Sequence, residues 1–120
     1  MAIPSRVMGT GNSPQSTEAI CGTGAVGLVA TGTTIADAFL LSAENNTFTT
    51  SSASTGVRLL PTEVGAQVVI RNDSGVSLTI YPYSVASTIN AGATSLALAT
   101  AKTAVFFATS ATTWVSITTA

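Results

Sequence analysis

The chain of 120 residues has no histidine, one cysteine (Cys21) and one lysine (Lys102). Charge is scarce: four Lys and Arg stand against five Asp and Glu, a net charge of −1, and charged residues make up 8% where about 25% is usual. Histidine is the commonest supplier of both proton transfer near neutral pH and metal ligation. Its absence, with so few other titratable groups, points away from catalysis and from any metal or cofactor. Cys21 has no partner for an internal disulfide and cannot build a zinc site alone. Four scattered cations cannot neutralise a phosphate backbone, so no nucleic-acid partner is expected. The same count argues against an anionic membrane surface. No apolar run approaches the ~18 residues that span a bilayer, and Met1 to Arg6 holds no apolar stretch of signal-peptide length, so no secretion signal is expected.

What is present is apolar and hydroxylated. Hydrophobic residues reach 46%, and about 35 residues are Ser or Thr. Threonine is β-branched and favours strands. The length fits one domain with a modest core, and a surface so short of charge resists association poorly. Part of that surface is therefore expected to be covered by other subunits.

Residues 1–25 differ from the rest. Pro4, Gly9, Gly11, Asn12, Ser13, Pro14, Gly22 and Gly24 interrupt regular structure, and apolar residues are sparse. The segment reads as an extended N-terminal arm or as a free tail. Ile3, Val7 and Met8 favour an arm that docks on a neighbour, with Arg6 as the cation among them.

Residues 26–120 read as a β-rich domain. Strands are predicted at Val26–Thr31, Asn46–Ser51, Val57–Leu60, Gln67–Arg71, Ser77–Tyr81, Ser95–Ala99, Ala104–Thr109 and Trp114–Thr118. Turn signals include Asn45-Asn46, Asn72-Asp73-Ser74-Gly75, Asn90-Ala91-Gly92 and Ser110-Ala111-Thr112. Alternation of apolar and hydroxylated residues is clear in Val76 to Ile80 and in Trp114 to Thr118. The best hairpin joins Gln67–Arg71 to Val76–Tyr81 through Asn72–Gly75. Thr34 to Asp37 fits a capping box, with Ile35, Ala38, Phe39 and Ser42 on one helical face. The competing reading, which we prefer, is a strand at Asp37–Leu41 that turns back into Thr47–Thr50. The expected fold is all-β, a small antiparallel β-sandwich or barrel.

Chemical motifs are few. Gly22-Thr23-Gly24-Ala25-Val26-Gly27 is a literal G-x-G-x-x-G, but a dinucleotide site needs a strand before it and a helix after it; a hinge between arm and domain is the simpler reading. Ser–Lys hydrolysis is the one nucleophilic arrangement open without histidine, and Lys102 reads instead as a solvated turn residue. Asp37, Glu44, Glu63 and Asp73 all lie in or beside predicted turns, with no spacing that suggests a catalytic pair. Asn45-Asn46-Thr47 and Asn72-Asp73-Ser74 match the glycosylation pattern by coincidence in so Ser/Thr-rich a chain. Tyr81-Pro82-Tyr83 marks a strand end; Tyr81 and Tyr83 are candidates for a surface that recognises sugar or protein, or else a core aromatic and a rim residue. Phe106, Phe107 and Trp114 are expected in the core or at a subunit interface.

A longer pattern runs through Thr55-Gly56-Val57-Arg58-Leu59-Leu60-Pro61, Gly65-Ala66-Gln67-Val68-Val69-Ile70-Arg71-Asn72, Leu78-Thr79-Ile80-Tyr81-Pro82, Ile89-Asn90 and Thr113-Trp114. Taken in this order, over roughly residues 30–118, it resembles small β-rich proteins encoded among the structural genes of tailed bacteriophages. Here an extra leucine precedes Pro61, and Tyr83 follows Pro82 where a small residue is expected, which alters a surface. The resemblance implies a virion component. Some β-rich phage proteins of this size are decoration, or cement, proteins on the major capsid protein lattice, often as trimers. The expectation is a non-enzymatic capsid-surface protein, made in the host cytoplasm, with the major capsid protein and its own copies as partners. A tail- or fibre-associated module that binds host carbohydrate is the alternative.

Overall fold

The computed structural model describes residues 4–52 and 55–120. Two short helices come first, α1 (Pro4–Gly9) and α2 (Pro14–Cys21). Ten strands follow: β1 (Gly24–Val29), β2 (Phe39–Leu40), β3 (Asn45–Thr50), β4 (Gly56–Arg58), β5 (Gln67–Asn72), β6 (Leu78–Tyr81), β7 (Thr88–Ile89), β8 (Leu96–Leu98), β9 (Thr103–Ala108) and β10 (Thr113–Thr118).

The N-terminal segment is therefore helical rather than extended. The residues that read as breakers are helix borders. Pro14 opens α2 beside Ser13, whose hydroxyl accepts from the Ser16 N–H at 3.1 Å, the usual N-cap and first-turn proline pairing. Gly22, at φ 79°, closes the helix and donates its N–H to the Glu18 carbonyl at 2.8 Å, a backbone conformation that glycine adopts without strain. The two helices pack on each other, and neither makes an extensive contact with a strand.

The strands form two sheets, ordered β1-β3-β5-β9-β10-β7 and β2-β4-β6-β8. From β1 to β8 the chain alternates between them, one strand in each. Neighbours such as β1 and β3, β3 and β5, or β4 and β6 are consequently parallel, because each connection returns through the other sheet. Asn45 pairs with Val69 and Gly56 with Thr79, so one full coil takes about two dozen residues, the scale of a stacked repeat. After β6 the parallel winding stops: β8 pairs antiparallel with β6, β9 pairs antiparallel with β5 and β10, and β7 joins the far edge beside β10. The domain is all-β, but this winding resembles a β-solenoid, which corrects the expectation of an antiparallel sandwich or barrel.

The corner between β5 and β6 explains the difference. Asn72 is fully buried. Its Oδ1 accepts from the Ser74 N–H at 3.0 Å and the Ser74 hydroxyl at 2.7 Å; its Nδ2 donates to the Val76 and Leu98 carbonyls at 2.7 and 2.8 Å. This is the local Asn turn chemistry of a hairpin, used here to send the chain across to the other sheet. β5 and β6 do not pair at all. Likewise β2 pairs with β4 instead of folding back on β3. Between β1 and β2, Thr34 to Ala38 forms a single helical turn closed by the Ala38 N–H on the Thr34 carbonyl at 3.0 Å, so the capping pattern and the following strand are both present, in miniature.

The core lies between the sheets. Phe48, Val68, Ile70, Ala104, Phe106 and Trp114 project from the larger sheet, and Val57, Leu78, Ile80 and Leu98 from the smaller, all fully buried. Phe39 and Phe48 meet edge to face at 5.6 Å across the layer. Trp114 satisfies its ring N–H on the Thr62 hydroxyl at 3.0 Å. Burial of each large apolar side chain contributes roughly 1.5–3 kcal/mol, and among the described side chains none before Leu28 joins this cluster.

Replacing Asn72 by Ala would take from the Val76 and Leu98 carbonyls their shorter side-chain donor, leaving them the Ser74 and Ser77 hydroxyls at 3.2 and 3.4 Å, and would remove the acceptor for Ser74. We expect a loss of about 3 kcal/mol in urea unfolding. A loss below about 1 kcal/mol, the worth of one ordinary hydrogen bond, would show that the corner does not depend on this side chain.

Candidate functional site: grooves and faces of the two sheets

Several of the charged residues are occupied structurally. Asp37 Oδ1 accepts from the Thr33 and Thr34 N–H groups at 3.1 and 2.8 Å and from the Thr34 hydroxyl at 2.7 Å, chiefly the last of which lowers its pKa. Glu44 Oε2 accepts from the Thr23 N–H at 2.7 Å and from the Thr23 hydroxyl; the hydroxyl contact is the main cause of its lowered pKa. Asp73 pairs with Arg71 at 2.7 Å, both well exposed, a geometry of small energetic weight. Lys102 stands before β9 and donates to the Ala120 backbone oxygen. Among the described residues no three His, Cys, Asp or Glu side chains gather as a metal site. The G-x-G-x-x-G run lies between a helix and a strand, the reverse of the dinucleotide order. Its last glycine, Gly27 at φ 69°, sits where the β1–β3 register shifts, a bulge on an edge strand of the kind that blunts edge-to-edge pairing.

Two depressions open on the surface. The larger, about 730 Å³, lies between the end of α2 and the sheet, where Ala19, Cys21, Glu44, Glu63, Gln67 and Val69 contribute. The smaller, about 290 Å³, is an apolar groove at the end of β6 formed by Ile35, Tyr81, Pro82 and Val85 together with Thr34, Ser87 and Thr94. Tyr81 is held firmly there. Its hydroxyl donates to the Thr33 carbonyl at 2.8 Å, and its ring lies against Gly56, where an added Cβ would fall 2.8 Å from Cε2. Tyr83 is not part of the groove; its ring lies beneath the Arg58 guanidinium, 4.7 Å from the centroid, and its carbonyl accepts from Arg58 Nε at 2.6 Å. The two tyrosines thus have different surroundings. Ile35 and Val85, distant in sequence, are groove residues that sequence reasoning missed.

Of the arm residues, Arg6, Val7 and Met8 fall in α1, and Arg6 and Met8 are exposed; Ile3 lies outside the described residues. Phe106 and Trp114 are buried, whereas Phe107 points to the outer face of the larger sheet beside Val115. No described helix is long and apolar enough to cross a membrane.

Comparison with protein families, characterised proteins and solved structures finds no match for this chain.

The Glu44–Thr23 contact joins the α2–β1 turn to β3 and carries a pH dependence. Its folded-state pKa lies below the ordinary 4.5, so the contact stabilises the fold fully above that value. The contribution is lost as pH falls through the lowered pKa. Thr23→Val should therefore shrink the stability difference between pH 6 and pH 3 in thermal unfolding; an unchanged difference would exclude the contact as its source.

Proposed function

We propose that this chain is a non-enzymatic virion structural protein, a decoration or cement protein that binds the outside of a tailed-phage capsid lattice and stabilises the shell as a homotrimer. The ordered motifs from Thr55 to Trp114 support the class of protein. The observation that carries the mode of binding is the N-terminal pair of helices. They touch each other but barely touch the sheets, leaving Arg6 and Met8 exposed on a segment able to reach a neighbour. On a lattice, many weak attachments of this kind act together by avidity. Binding to the assembled shell alone would then stabilise it by mass action.

Among the described side chains the core cluster begins at Leu28, so removal of residues 1–22 leaves Thr23 for Glu44 and those core residues in place. The truncated chain should fold, by circular dichroism, and fail to bind heads; full binding would refute the role of the arm. Attachment of the whole chain should survive about 1 M salt, where charges are screened beyond ~3 Å, because so few charges are present. Shedding of the protein in moderate salt would overturn the mechanism.

The Tyr81 groove favours a second reading, a tail- or fibre-associated module for host carbohydrate. It is apolar with an aromatic wall held in place by the Tyr81 hydroxyl, features of small-ligand sites. Tyr81→Ala should abolish binding on a glycan array if this reading holds, while leaving head attachment as the measure of the first. An array with no signal for the intact chain would dismiss it.

A further inference from the structure

The Tyr81 groove has a cation beside it. Arg58 lies directly opposite Tyr81 across the β4–β6 pair. Val57 and Ile80, the residues before them, are fully buried in the core, so alternation sets Arg58 and Tyr81 together on the outer face of the smaller sheet. The Arg58 side chain is half-buried and held at two points. Its Nε donates to the Tyr83 carbonyl at 2.6 Å, and its guanidinium carbon stands 4.7 Å from the Tyr83 ring centroid. Tyr83 follows Pro82, which forms part of the groove wall, so the guanidinium is anchored one residue from that wall. A guanidinium carries five N–H donors. Nε uses one of them; among the described residues nothing accepts from Nη1 or Nη2, and no carboxylate pairs with Arg58.

The other cations of the β-rich domain differ. Arg71 is paired with Asp73 and also donates to the Ala101 carbonyl at 2.9 Å, and Lys102 donates to the Ala120 backbone oxygen. The Asp37 carboxylate, two residues before the Phe39 that pairs with Val57, is turned to Thr33 and Thr34. Arg58 is thus a fixed charge with an open fork and no counter-charge. A planar fork of this kind takes a carboxylate through two parallel hydrogen bonds. The Tyr83 ring and the Nε bond hold it in one orientation, which lowers the cost of ordering it on a ligand. We infer that the ligand of the groove is an acidic saccharide, its carboxylate bound by the Nη groups of Arg58 while the C–H face of a sugar ring lies against the apolar wall at Tyr81. The inference rests on the carbohydrate reading of that groove and adds the class of sugar, a uronic or sialic acid rather than a neutral hexose. The groove, about 290 Å³, has the scale of a small-ligand site, which favours a sugar over the broad surface of an acidic protein. The apolar wall offers contact common to many sugars. The guanidinium discriminates among them, because a neutral analogue leaves the fork without its partner.

A glycan array that sets uronic- and sialic-acid oligosaccharides beside their carboxyl-reduced counterparts tests it with the full chain. The intact protein should bind the acids, and reduction of the carboxylate to the alcohol should weaken binding about tenfold or more, the effect of losing hydrogen bonds to a charged group. Arg58→Gln should abolish that preference with an unchanged circular dichroism spectrum. Arg58→Lys, which keeps the charge but not the fork, should retain part of it. Arg71→Gln removes a charge outside the groove and should change nothing. The comparison of acid with reduced glycan needs no variant, so it decides the matter even if Arg58→Gln fails to fold. Equal binding of acid and reduced glycans, lost in Tyr81→Ala, would overturn this inference and leave the groove reading standing. An array with no signal for the intact chain would refute both. A silent array with head attachment lost in Arg58→Gln would give the guanidinium to a carboxylate of the shell protein and refute the saccharide.

Discussion

The fold depends on turning the chain between two sheets without abandoning backbone hydrogen bonds inside the protein. Asn72 meets that constraint at the β5–β6 corner. All four of its side-chain hydrogen bonds are made within a fully buried residue, and one of them reaches β8 through Leu98. A buried carbonyl left unpaired costs roughly 1–3 kcal/mol, which is large against the total stability of a small domain. Asn46 does part of this at the start of β3, donating to the Ala43 carbonyl at 2.9 Å, although its buried Oδ1 has no partner among the described residues. With the Asn72 corner satisfied, successive coils stack in register and the alternating side chains meet in one core.

The scarcity of charge follows through every level. The carboxylates of Asp37 and Glu44 are committed to threonine N–H and hydroxyl groups, and two of the three arginines to backbone carbonyls. These groups organise turns and strand ends. Apart from the Nη groups of Arg58, what remains for recognition is shape and apolar contact: a small groove at Tyr81, a loosely attached helical pair, and the exposed Phe107, Val115 and Ile117 on the larger sheet.

Eight predicted strands correspond to β1, β3, β4, β5, β6, β8, β9 and β10, with ends displaced by a residue or two. Thr88–Ile89 escaped notice because two residues carry no periodicity; it is a strand only through its pairing with Thr113 and Trp114. The helices escaped because Pro14 and Gly22 serve equally as breakers and as helix borders. Of the candidate site residues, Tyr81 reached a groove, but its partner Ile35 came from a capping-box turn and Val85 from a loop, neither carrying a binding motif. Tyr83, two residues away, stands instead with Arg58, because a strand end and a loop diverge after Pro82.

The sequence by itself determined the β-rich class, the positions of most strands and the uncharged character of the surface, while it left Phe106, Phe107 and Trp114 open between core and interface. These follow from local preferences and from alternation along single strands. Only the tertiary structure decided which strands pair, because Asn and Gly build a hairpin and a corner with the same turn chemistry. It alone also placed Phe107, Val115, Ile117 and Val105 side by side, since a shared face arises from register between strands, and register is fixed by contacts that no local pattern contains.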